Sequence, residues 1–472
     1  MRQVIGADKG LLVDEQRADE SRSVGHGDRI DVLERTLRVV ERAAHEHLGQ
    51  VAAVLGRGLE FLVVAPLQAR LRTAYAAQVK DVLIPAHTRI RDFLRVRREL
   101  GRDEGPVMVL DLDVVRDNYT AFARALPDTR VFYAVKANPA PEVLRALAEM
   151  GSCFDTASVV EIQMALSAGA TADRVSFGNT IKKERCIARA LQLGVRLFAV
   201  DCQAEVDKIA RAADAVKVAR EDVQVFCRIL CDGAGAEWPL SRKFGCEPAY
   251  ATDLLEQAHR LGLTAYGLSF HVGSQQHNVE AWDRALASAA GVFKSCAERG
   301  INLSMVNLGG GFPAKYLRKV PKLESYGKAI FKALRKHFGN NLPNTIIEPG
   351  RGLVGNAGLI EAEVVLIAKR NPEDDLRWVY LDIGKFHGLA ETMDESIRYP
   401  IKTAKDRDEM APCVIAGPTC DSVDVLYEKT PYNLPVSLAI GDKVLLEAAG
   451  AYTTTYSSVA FNGFPPLQQY VI

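Results

Sequence analysis

The chain has 472 residues, more than one core normally supports, since single cores stop growing at about 250–300 residues. Lys plus Arg and Asp plus Glu both total 59, so no net field favours nucleic acid or an anionic membrane. No stretch approaches the roughly 18 apolar residues of a membrane span, and the opening MRQVIGADKG lacks the basic-then-apolar order of a secretory signal.

Residues 1–86 differ in texture from the rest. Ile30, Leu33, Leu37, Val40, Ala44 and Leu48 recur at three- and four-residue steps, which predicts an amphipathic helix. We read this region as a helical extension of unassigned role or an over-early start. A short helix follows over 89–100, its arginines read as a solvated face. Residues 106–115 (PVMVLDLDVV) read as a strand. Eight short runs come next: 131–136 (VFYAVK), 153–156 (CFDT), 175–178 (VSFG), 197–200 (LFAV), 225–230 (VFCRIL), 266–271 (YGLSFH), 305–308 (MVNL) and 345–348 (TIIE). They are rich in Val, Ile and Phe and separated by amphipathic stretches such as 141–150, 159–166, 184–193 and 281–299. That pattern implies parallel strands with crossover helices, and eight units imply a closed βα barrel.

After 348 the alternation stops. Residues 359–370, 377–384, 411–417 and 442–452 are strand-like, with Pro/Gly turns between them and a weak helix signal at 391–397. The expected fold class is therefore an α/β barrel (TIM-like) over 115–352 plus a C-terminal mostly-β domain. That second domain is assembled from 87–114 and 353–472, and the helical extension at 1–86 precedes both.

Nine cysteines follow no repeated spacing, and no second pair or His cluster completes a zinc site. This usage suits a reducing compartment, hence a cytoplasmic protein with no metal centre.

Active residues of such barrels sit where strands end. Lys136 closes the most apolar run; there it loses hydration, which lowers its pKa and frees an amine for an aldehyde, or it is a solvated turn lysine. Gly309, Gly310 and Gly311 follow the seventh run, while Glu348 and Arg351 follow the eighth, the positions at which barrels often hold a phosphate. Glycine amides can converge on an anion and Arg351 can add a charge-assisted bond; tight turns are the plainer alternative. An amine and a phosphate cradle at one mouth match pyridoxal phosphate. Glu348 beside its pyridine nitrogen would favour a carbanion route such as loss of CO2, or it pairs with Arg351. His271 could stack on the ring, act as an acid, or be structural; Asp155 is equally open. Cys420 could return a proton to a carbanion and Asp421 could hold a cation, against an inert buried thiol. Tyr452 could reach a phosphate or be a core tyrosine.

With these segments assembled, residues 88–472 resemble the alanine-racemase-fold pyridoxal-phosphate decarboxylases, nearest the ornithine and lysine/ornithine decarboxylases. The matching motifs are YAVKAN (133–138), FDTAS (154–158), SFHVGS (269–274), GGGFP (309–313), EPGR (348–351), GPTCDS (417–422) and GAYT (450–453), all in the family's order. The resemblance implies that Lys136 captures the aldehyde, His271 stacks on the ring and Asp155 supports Lys136. It also implies that Ser274, Gly309–Gly311, Arg351 and Tyr452 hold the phosphate while Glu348 meets the ring nitrogen. Cys420 would protonate Cα and Asp421 would bind the distal amine, both from the partner subunit of a homodimer with shared active sites. Where the family carries a Tyr-Asp pair for that amine, this chain offers Asp394 and Glu395.

The implied activity is decarboxylation of ornithine to putrescine in polyamine biosynthesis, with lysine as a further substrate. Diaminopimelate decarboxylase is the alternative within the fold, although that relative shows Cys-Glu-Ser where Cys420-Asp421-Ser422 stands here. A catalytically dead, partner-binding homologue and a racemase are the remaining rivals. The first conflicts with the presence of Lys136, Glu348, Cys420 and Tyr452, the second with Glu348.

Overall fold

The computed structural model describes residues 86–102, 104–238 and 243–472. The helix expected over 30–48 lies outside the described residues. Eight parallel strands close a barrel: Thr129–Ala134, Cys153–Thr156, Val175–Phe177, Leu197–Val200, Gln224–Arg228, Thr264–Ser269, Met305–Asn307 and Asn344–Ile347. The last pairs with the first, Ile347 opposite Val131. Side chains alternate as a pleated strand requires. Phe132, Cys153, Leu197, Ala199, Phe226, Met305 and Ile346 form one buried cluster, whereas Val131, Tyr133, Phe154 and Val225 belong to the larger core.

Local chemistry sets the crossover helices. Pro141 opens Pro141–Glu149, where its missing N–H costs nothing. Ser158 caps Val159–Ser167 by accepting from the Glu161 amide at 3.2 Å, and the Glu161 carboxylate accepts from the Ala157 amide at 2.6 Å. This reciprocal cap fixes the turn that follows Asp155.

The second layer is an eight-stranded sheet. Its path runs Ile401–Thr403, Lys443–Glu447, Gly358–Ala368, Arg377–Leu381, Met410–Ala416, Val425–Pro435. The early strand Val107–Leu110 pairs antiparallel with Gly358–Ala368 and parallel with Gln468–Val471, so chain preceding the barrel completes the sheet that follows it. Three of these strands carry no clear sequence signal. Val425–Pro435 reads poorly because Pro431 and Pro435 break the pattern, and it is tolerated because this strand is an edge.

Two expectations need correction. The arginines of the helix Ala86–Glu99 do not form a simple solvated face: Arg97 is buried and donates to the Glu104 carbonyl, and Arg98 pairs with buried Glu361. The weak helix at 391–397 is a 3-10 stretch, Ala390–Glu395, in which Asp394 and Glu395 hold positive φ of 53° and 58°. Among the described residues no helix is long and apolar enough to cross a membrane.

Candidate active site

Lys136 stands in a one-turn 3-10 segment, Val135–Ala137, just past the first barrel strand. Its side chain is 53% exposed, and its Nζ lies 3.9 Å from Asp155 Oδ2 on the neighbouring strand. Asp155 is buried, and the chain makes room for it: a Cβ on Gly178 would sit 1.9 Å from its Oδ1. Burial pushes the Asp155 carboxyl up, against the pull of Lys136 and Arg228. The expected drop in the Lys136 pKa is not what this environment produces. Desolvation lowers it, but Asp155, Tyr452 and Glu348 together outweigh that effect and the net direction is upward.

Glu348 follows the eighth strand, anchored by its amide to the Gly309 carbonyl at 2.8 Å, and accepts a hydrogen bond from the Asn307 side chain. Desolvation first, and then the Asp155 charge, push its carboxyl up to about 7. It does not pair with Arg351. His271 lies two residues past the sixth strand and accepts from the Gly273 amide at Nδ1, 3.0 Å away. Burial, then Arg228 and Lys136, hold its pKa well below the usual range, so the ring is neutral with its proton on Nε2.

The three glycines are there for want of space. A Cβ at Gly309 would meet the Phe270 carbonyl at 2.1 Å, one at Gly310 the Glu348 carbonyl at 2.6 Å, and one at Gly311 the Gly273 carbonyl at 2.4 Å. The Gly309 amide is already spent on Asn307 Oδ1 at 2.9 Å. Among the described residues no acceptor meets the amides of Gly310 and Gly311, so two rather than three remain for an anion.

Arg351 is buried, and four of the five donors of a guanidinium are in use. Nη1 donates to Tyr316 Oη (2.8 Å) and Glu391 Oε2 (2.7 Å), and Nη2 to Glu391 Oε1 (2.6 Å) and Ser274 Oγ (3.2 Å). Nε is buried without a partner. A buried orphan donor is costly, and Ser274, which accepts here, keeps its own O–H to give. Tyr452 completes the corner, its ring 5.0 Å from the guanidinium carbon and its amide bonded to the Ala137 carbonyl. The Ser274 hydroxyl and the two glycine amides, beside the buried Arg351 charge, are donors a phosphate ester needs, so these residues fit pyridoxal phosphate.

The chain belongs to the pyridoxal-dependent decarboxylases. The family model for the pyridoxal-dependent decarboxylase, pyridoxal binding domain, matches residues 112–355. The lysine/ornithine decarboxylase of Selenomonas ruminantium is 35% identical over 364 residues, covering 76% of this chain and 87% of its own. The Vibrio vulnificus lysine/ornithine decarboxylase complexed with cadaverine superposes with a TM-score of 0.71 at 33% identity, over 81% of this chain and 98% of that one. The Paramecium bursaria Chlorella virus arginine decarboxylase bound to agmatine gives 0.73 at 27% identity, over 81% and 100%. Pyridoxal 5'-phosphate is thus the cofactor of this decarboxylase, and the barrel with its β domain is the fold expected of it.

The other expected residues have partners other than Lys136. Cys420 is exposed, its amide held by Asn462 Oδ1 at 2.9 Å, and Asp421 accepts from the Val423 amide at 3.0 Å. No hydrogen bond or ion pair joins either to Lys136, His271 or Glu348 among the described residues. Asp394 is 84% exposed beside Lys429. Glu395 is structurally committed: it accepts from the amides of Glu428, Lys429 and Thr430 and pairs with Arg398 at 2.6 Å. Asp394, Glu395, Ser422 and Tyr456 line one cleft of about 810 Å³, and the Tyr456 ring is 5.8 Å from that of Tyr452.

Sequence reading missed four members of the cluster. Arg228, which bears on Lys136, Asp155, Glu348 and His271, was hidden inside a run read through residue 230; the strand in fact ends at Arg228. Asn307 ends the seventh strand and had the same signal. Tyr316 comes from a loop and Glu391 from the 3-10 stretch Ala390–Glu395, and neither has a motif to mark it.

Proposed function

We propose that this enzyme decarboxylates L-ornithine to putrescine, with L-lysine as a second substrate, as a homodimer whose active sites are shared between subunits. The observation that carries the decarboxylase chemistry is the convergence of Lys136, Asp155, His271 and Glu348 on the barrel mouth beside the Arg351–Ser274 corner. When bound, the cofactor supplies the electron sink that takes the pair released as the Cα–carboxylate bond breaks. Lys136 would supply the amine that holds its aldehyde, with the Asp155 carboxylate acting on that amine by its charge from 3.9 Å. Glu348, whose affinity for protons is raised by burial, would meet the pyridine nitrogen and keep a proton there. Neutral His271 can lie against the ring without opposing its positive charge.

Reprotonation of Cα falls to Cys420 and recognition of the distal amine to Asp421 and the cleft around Asp394. Cys420 is exposed and makes no hydrogen bond with Lys136 of its own chain, and Val423, three residues on, is more than half exposed, which supports delivery across a subunit interface. The names of the relatives, lysine/ornithine and arginine decarboxylases, support a basic substrate.

The test is to incubate the holoenzyme separately with ornithine, lysine, arginine and diaminopimelate and to identify each amine. Putrescine should form fastest; CO2 released from diaminopimelate alone would overturn the assignment.

A further inference from the structure

We propose that Glu391 is a positioning residue for the cofactor phosphate: it clamps the end of the Arg351 guanidinium, takes up its charge and holds Nη2 against Ser274. This rests on the reading that Arg351 and Ser274 hold the phosphate. Glu391 belongs to no barrel motif. It projects from the β domain on the segment Ala390–Glu395, which is pinned by Leu389 N to the Gly384 carbonyl (3.1 Å) and by Ile397 N to the Glu391 carbonyl (3.0 Å). Its side chain is 9% exposed and that of Arg351 3%, so the ion pair is shielded from water.

An arginine with a free end would meet a phosphate with Nη1 and Nη2 together. Here both nitrogens are bound to the two Glu391 oxygens at 2.7 and 2.6 Å, so the forked end is closed to an incoming anion, and Nη2 reaches Ser274 Oγ at 3.2 Å instead. The other ionisable groups around this corner are Tyr316, Tyr399, Tyr452 and Tyr456, with Lys136 adjacent and Glu237 beyond Tyr316. Burial pushes all four phenols up, Tyr316 to about 12, so they stay neutral. Glu391 is then the anion in direct contact with the guanidinium. A phosphate beside an arginine already neutralised loses its second proton at higher pH than one beside a bare arginine.

The experiment is a ³¹P NMR pH titration of the cofactor bound to the holoenzyme, in wild type, E391Q, E391D and S274A. In E391Q the phosphate should titrate at a pH lower by about one unit, because Arg351 regains its charge. E391D, which keeps the charge but draws it back by one methylene, should move the same way by less, and it carries the test if E391Q does not fold. An unchanged or upward-moved titration in these variants, with a changed signal in S274A, would overturn the role of Glu391. A phosphate signal indifferent to S274A as well would instead sink the placement of the phosphate.

Discussion

Lys136, just past the first barrel strand, and Asp155, on the second, face each other at 3.9 Å, near enough for attraction and too far for a good hydrogen bond. The carboxylate therefore acts on the amine by its field. Desolvation pulls the Lys136 pKa down and Asp155 is the largest influence pushing it up. In Asp155→Asn that upward push disappears, so the free amine persists to lower pH. The pH profile for capture of pyridoxal phosphate by the apoprotein, followed by absorbance, should move to lower pH. An unmoved profile would show that Asp155 does not govern this amine.

Glu348 carries a linkage consequence. Its folded-state pKa is raised, to about 7, so between its ordinary value and that pH the native state binds a proton the unfolded chain has lost. Stability of the apoprotein should fall as pH rises through this window and level off above it. Glu348→Gln should remove the fall, raising the apoprotein Tm at pH 8 and changing it little at pH 5. Thermal melts at the two pH values check the sign.

Cys420 offers a test of proton delivery. Cys420→Ala should leave capture of the cofactor intact while cutting turnover by roughly 10²–10⁴-fold, the usual worth of a positioned acid. Turnover in D2O should also lose its stereospecific labelling at Cα. A fully active, stereospecific variant would remove the thiol from the mechanism.

Asp394 and Glu395 should separate cleanly. Glu395→Ala leaves three backbone amides and Arg398 without their acceptor and should cost about 1–3 kcal/mol, read by denaturant unfolding. Asp394→Ala, at an exposed side chain, should leave stability near wild type and raise KM for the basic substrate with little change in kcat. Equal KM values in Asp394→Ala and wild type would exclude Asp394 from substrate binding.

The barrel was legible because its strands are local objects: short β-branched and aromatic runs at regular spacing announce themselves one at a time. Residues at their ends, Lys136, Asp155, His271 and Glu348, were legible for the same reason. Arg228 was not, because a two-residue error at a strand end hides a mouth residue inside the strand. The edge strand Val425–Pro435 escaped because its prolines, harmless at an edge, look from the sequence like a loop.

By itself the amino-acid order determined a repeating βα architecture, a lysine at the end of the first barrel strand and the order of the motifs, since each depends on neighbours within a few residues. Only the folded chain decided how charge is shared among them. The upward shift at Lys136, the spent amide of Gly309 and the Glu391–Arg351 clamp depend on groups brought together from distant parts of the chain. Electrostatic energy follows separation in space and loss of water, and neither can be read from position along the chain.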